Sequence, residues 1–118
     1  MAWRDGPAML PVLQKEEGGL DMSIRVILEL KAKPGTGDEL VAFFGSILPE
    51  TRAYEGCTSV DTLQNRDNAD NVVVVEVWDS HEQYEKYLAW QRDRGTSDRL
   101  MDALAEPPSI RQFDETDA

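Results

Sequence analysis

Along residues 24–32, IRVILELKA, the apolar side chains Ile24, Val26, Leu28, Leu30 and Ala32 alternate with Arg25, Ile27, Glu29 and Lys31. This period of two predicts a strand with one firmly buried face. Over residues 38–54 the period lengthens: Leu40, Phe43, Phe44, Ile47 and Leu48 make a helical stripe. KPGTGDE supplies the turn before it, with Thr36 or Asp38 as cap. Pro49 predicts a kink or a restart. Glu55-Gly56 ends this element, and TSVDTL (58–63) reads as a second, more polar strand. QNRDNADN is dense in turn formers and predicts a hairpin leading into NVVVVEVW. Ser80 and Gln83 have capping-box spacing and open a helix that runs to about Gln91. A further helical stretch restarts after Gly95 with Leu100, Met101 and Leu104 as its apolar stripe. Pro107-Pro108 stops it, and SIRQF (109–113) reads as a closing strand.

The order strand, helix, strand, strand, helix or helix pair, strand predicts an α+β domain. Its simplest layout is a ferredoxin-like four-stranded antiparallel sheet with helices on one face. The third strand then poses a problem. Val72, Val74, Glu76 and Trp78 share one face, while Val73, Val75 and Val77 share the other. A sheet covered on one side only should be polar on its second face, and here that face is a row of valines. A second copy of the same sheet is the economical cover, which predicts a symmetric homodimer. Residues 1–22 read as an N-terminal arm, 23–113 as the folded domain and 114–118 as an acidic tail.

The chain has 118 residues, enough for one modest core. Its 23 acidic and 12 basic side chains give a formal charge of −11, which argues against nucleic acid and anionic membrane partners. No apolar run approaches the roughly 20 residues of a membrane span. The N-terminal stretch has no continuous apolar segment of the kind a secretory signal needs. The single cysteine, Cys57, permits no internal disulfide and suits a reducing cytoplasm. One histidine, His81, and no dinucleotide fingerprint imply no transition metal, haem, flavin or nicotinamide.

Candidate chemistry concentrates around the end of the valine strand. Trp78 is either a core residue or a pocket wall. Tyr84 and Tyr87 lie on one helix face, as amphipathic packing or as hydroxyls aimed at a phenolic ligand. Glu76, a carboxylate in a valine strand, is either paired with an arginine at a barrel mouth or an acid/base group with a raised pKa. Cys57 reads as a small buried hydrophobe, and His81, at a helix start, as exposed.

With these residues in order, the chain resembles the antibiotic biosynthesis monooxygenase family of dimeric α/β barrels over residues 24–113. The first strand leads to Lys33-Pro34-Gly35, and the corner after the first helix is Glu55-Gly56-Cys57, without the family's proline. The strand ending Glu76-Val77-Trp78-Asp79-Ser80 precedes a helix with aromatic side chains, and Pro107-Pro108-Ser109-Ile110-Arg111 enters the last strand.

The resemblance implies a cofactor-independent monooxygenase acting on a quinol, anthrone or polyketide-like aromatic with O2. Trp78, Tyr84 and, on the later helix, Arg99 would be catalytic, with Tyr87, Glu76 and Val74 binding substrate. The family's strand asparagine would fall at Val74, a departure that removes an amide able to polarise a carbonyl. Haem degradation is disfavoured, because the first strand lacks an asparagine and Tyr87 stands where a histidine is often found. The alternative is a non-catalytic ligand-binding or stress-responsive dimer of the same fold, which would differ in turnover.

Overall fold

The computed structural model describes residues 23–118, and the N-terminal arm predicted over 1–22 lies outside the described residues. The alternating segment forms β1 (Ile24–Lys31), with Ile24, Val26, Leu28 and Leu30 buried and the residues between them facing the other side. There follow α1 (Gly37–Ala53), β2 (Cys57–Gln64), β3 (Asn71–Trp78), α2 (His81–Asp93), α3 (Thr96–Asp102) and β4 (Ser109–Asp114). The strands pair antiparallel in the order β2-β3-β1-β4, and the helical layer lies on one face of the sheet. The predicted α+β, ferredoxin-like class holds.

Register decides what surrounds each inward side chain. Leu28 pairs with Val74, Val26 with Glu76 and Ile24 with Trp78 across β1 and β3. On the other side Val60 of β2 also pairs with Glu76. The carboxylate at position 76 is therefore flanked on both neighbouring strands by fully buried valines. From above, α1 lays Leu40, Phe44, Leu48 and Thr51 on the sheet, and α2 lays Tyr84, Tyr87 and Gln91.

Three local expectations are corrected. α1 runs through Pro49 without a break. Pro49 sits on the exposed face, where the carbonyl that loses its intrahelical donor can be met by solvent. The start of α1 is held neither by Thr36 nor by Asp38: Thr36 makes no side-chain cap, and its hydroxyl donates to the Lys33 carbonyl instead. The cap comes from Asp70, at the far end of the β2–β3 turn, whose carboxylate accepts from the backbone N–H groups of Gly35 and Gly37 at 2.9 Å each. Leu104 lies beyond α3 and forms an isolated bridge with Ala32, while Met101 is 44% exposed rather than part of a buried stripe. Ser80 caps α2 as its spacing predicts, accepting from the Gln83 N–H at 3.2 Å.

The outward face of the sheet carries Val73, Val75 and Val77 on β3, all half-buried, with Ile27 beside Val75 on β1. Leu63 and Phe113, both exposed, extend this apolar stripe onto β2 and β4. Among the described residues, no helix is long and apolar enough to cross a membrane.

Candidate functional site

β3 ends by sending two unlike side chains into the helical layer. Residues 76 and 78 point the same way because a strand repeats every two residues. Glu76 is 4% exposed and Trp78 is fully buried, and the indole Nε1 donates to Glu76 Oε1 at 2.7 Å. Burial pushes the Glu76 carboxyl above its ordinary value of 4.5, and the indole hydrogen bond offsets this only in part. Among the described residues no cation contributes, and no arginine pairs with Glu76; its raised pKa is the feature expected of the second alternative posed by the sequence. Arg25, Arg94 and Arg111 instead bridge to Glu115, Glu50 and Glu29 near the surface.

α2 places its tyrosines over this pair. Tyr87 lies 4.7 Å and Tyr84 5.7 Å from the Trp78 ring, centre to centre. Tyr54, just past α1, closes the cluster at 5.5 Å from Tyr87. Burial raises the pKa of both Tyr84 and Tyr87, so both remain neutral hydroxyls near pH 7. The Tyr87 hydroxyl sits 2.8 Å from Thr51 Oγ1 and accepts from Gln91 Nε2, also at 2.8 Å.

A cavity of about 100 Å³ opens between α1, α2, α3 and the β1–β4 edge. Glu76, Tyr84, Tyr87, Gln91, Thr96 and Ser97 are its polar lining residues, and side chains such as Leu28 and Phe44 supply its apolar wall. Met101 and Ile110, both exposed, stand at its rim. Trp78 does not line this cavity; it lies behind, in contact with both tyrosines and holding Glu76. Val74 is wholly buried on the same strand face and is likewise not among the lining residues. Arg99 is not brought to the cavity: its guanidinium lies 5.6 Å from the Phe43 ring centre.

Gln91 and Thr51 are among the polar residues of the site that were missed in the sequence, as are Thr96 and Ser97 at the start of α3. Gln91 follows Tyr84 and Tyr87 at i+7 and i+4, so helical spacing already placed it on their face. Thr51 continues the buried stripe of α1 past Leu48 and carried a similar signal. Elsewhere, burial chiefly pushes the Cys57 thiol up to about 11, which leaves it a poor nucleophile. His81 is exposed, beside Glu85 and Gln112. Among the described residues no group of His, Cys, Asp and Glu could hold a metal ion.

Solved structures share this fold. A conserved protein from Methanosarcina mazei matches with a TM-score of 0.73 at 20% identity, covering 80% of this chain and 94% of the other. SnoaB, a cofactor-independent oxygenase from Streptomyces nogalater solved in a mutant form, matches with a TM-score of 0.71 at 16% identity, covering 81% and 95%. A protein of unknown function from Nitrosomonas europaea gives 0.70 at 23% identity, covering 81% and 91%. Among curated protein sequences none matches. The model of one family, described as antibiotic biosynthesis monooxygenase, matches residues 23–92. That span carries the buried carboxylate, the tryptophan behind it, both tyrosines and Gln91, and by this match the chain belongs to the antibiotic biosynthesis monooxygenase family.

Proposed function

We propose that this protein is a cofactor-independent monooxygenase that oxidises a small hydroxylated aromatic with O2 in the cavity beneath α2. The observation that carries this reading is Glu76: a buried carboxyl with no cationic partner among the described residues, facing a cavity with a largely apolar wall. A carboxylate so placed is a stronger base than one in water. It takes the phenolic proton, and the electron-rich anion then reduces oxygen without help from a metal or flavin. One oxygen atom enters the ring as a carbonyl; the other leaves as water with two hydrogens from the substrate. The substrate therefore supplies every electron.

In this scheme the ring rests against Tyr84 and Tyr87, which Trp78 backs, and the developing charge is met by a neutral tyrosine hydroxyl. Arg99 has no part in the scheme. The cavity volume favours one aromatic ring over a fused polyketide skeleton. The active form in this reading is a homodimer in which the outward valine faces of two sheets cover each other.

Oxygen uptake by metal-free protein, measured across hydroquinones, anthrones and haem, is the test. Hydroquinones should be consumed, and Glu76→Gln should slow the reaction by about 10²–10⁴-fold. Uptake no faster than in buffer for every compound would remove the oxidation reading. Binding without uptake would place the chain with non-catalytic ligand binders of this fold.

A further inference from the structure

Gln91 is 5% exposed, yet its two amide atoms have different fates. Nε2 donates to the Tyr87 hydroxyl, which also shares a hydrogen bond with Thr51 Oγ1. Oε1 is buried and has no hydrogen-bond partner among the described residues. Native structures rarely leave a buried amide oxygen without a partner, and here the residue lines the cavity that also holds Glu76. As placed, the Gln91 amide bonds Tyr87 through Nε2 and leaves Oε1 as an unmet acceptor on a residue that lines the cavity.

Resting on the reading of this cavity as the substrate site, we infer that Gln91 is a specificity-determining residue: with Glu76 it reads hydrogen-bond donors on an uncharged aromatic ligand. Both groups accept, one through an amide oxygen and one through a carboxylate. Among the described residues lining the cavity there is no lysine or arginine, and a carboxylate or phosphate ligand would face Glu76 with like charge. A ring bearing two hydroxyl groups satisfies both acceptors. A ring of the same shape without donors leaves both unmet, and a site built to bond a hydroxyl discriminates strongly against such an analogue.

The test is a titration of the full chain in oxygen-free buffer, followed by two-dimensional NMR, with hydroquinone and with 1,4-difluorobenzene. The two rings are similar in size, and only the first carries donors. Hydroquinone should bind about tenfold tighter or more. Gln91→Met, confirmed as folded by its melt, should bring hydroquinone close to the difluoro ring. The wild-type comparison stands without any variant: equal affinities, or tighter binding of the difluoro ring, overturn the inference. So does an unchanged hydroquinone affinity in folded Gln91→Met. Oxygen uptake is scored separately. A protein that prefers hydroquinone but consumes no oxygen loses the oxidation reading and keeps this one; uptake without donor preference does the reverse.

Discussion

Trp78 holds Glu76 through a 2.7 Å hydrogen bond from its indole nitrogen, two positions along the same face of β3. The bond fixes the carboxyl in a place where its strand neighbours are Val26 and Val60. It also sets a contest. The indole N–H favours the ionised form and burial the protonated one, and burial has the larger effect, so the pKa lies above its ordinary value. A residue that packs as pure core thus moderates the pKa shift of a carboxyl that lines the cavity.

That contest predicts a pH dependence of stability. Because the folded-state pKa of Glu76 lies above the ordinary 4.5, the native chain binds more protons than the unfolded chain just above that pH. The stability this proton confers is fully present below about 4.5 and is lost as pH rises towards the folded value. Glu76→Gln keeps the shape and an acceptor for Trp78 but cannot ionise. Its melting temperature relative to wild type should therefore climb between pH 4 and pH 8. Parallel curves for the two proteins would mean that Glu76 titrates normally.

The tyrosines should separate catalysis from stability. Tyr87 spends its hydroxyl on Thr51 and Gln91, so Tyr87→Phe should destabilise the fold by about 1–3 kcal/mol. Tyr84 lines the same cavity, and Tyr84→Phe should move stability by about 1 kcal/mol or less. If its hydroxyl stabilises the oxidation transition state, the rate should fall by roughly 10²–10³. Melts and oxygen uptake on both variants give the comparison. Full turnover in Tyr84→Phe would take that hydroxyl out of the chemistry.

The fold was legible because its signals are local and periodic. Alternation in β1, the stripe Leu40–Phe44–Leu48 and the Ser80 cap each act within a few residues. What was hidden depends on distant partners. Asp70 caps a helix more than thirty positions earlier, and no pattern near Thr36 or Asp38 announces it. The resemblance implies a catalytic role for Arg99, but after the turn at Gly95 its guanidinium lies over the Phe43 ring. The Glu76 alternatives differed only in whether an arginine arrived, which sheet register and helix orientation decide.

Asp70 leads to a prediction about glycine. A Cβ on Gly37 would run into the backbone carbonyl of Ala69, beside the Asp70 cap, so Gly37→Ala must push the hairpin turn off α1. A loss of roughly 2–4 kcal/mol is expected, in the range of overpacking with a lost cap. Gly45, also in α1, has nothing within 4 Å of the same position. Gly45→Ala should instead stabilise by about 0.5–1 kcal/mol through the lower entropy of the unfolded chain. Chemical denaturation of the pair measures both. Equal effects would show that the turn yields at no cost.

The outward face of β3 sets the last expectation. Val73, Val75 and Val77 form a continuous apolar row beside Ile27, with Leu63 and Phe113 exposed on the flanking strands. A contiguous apolar row of this kind is the type of surface at which proteins bind one another. If a second sheet covers it, light scattering at micromolar concentration should give twice the 13.3 kDa chain mass. Val75→Asp would then bury an unpaired carboxylate at the centre of the contact and should yield monomers. Because Val75 points away from the monomer's core, circular dichroism of the variant should stay native. A wild-type mass of one chain would leave the valine face to some other partner, whereas a dimeric Val75→Asp would move the contact to a different surface.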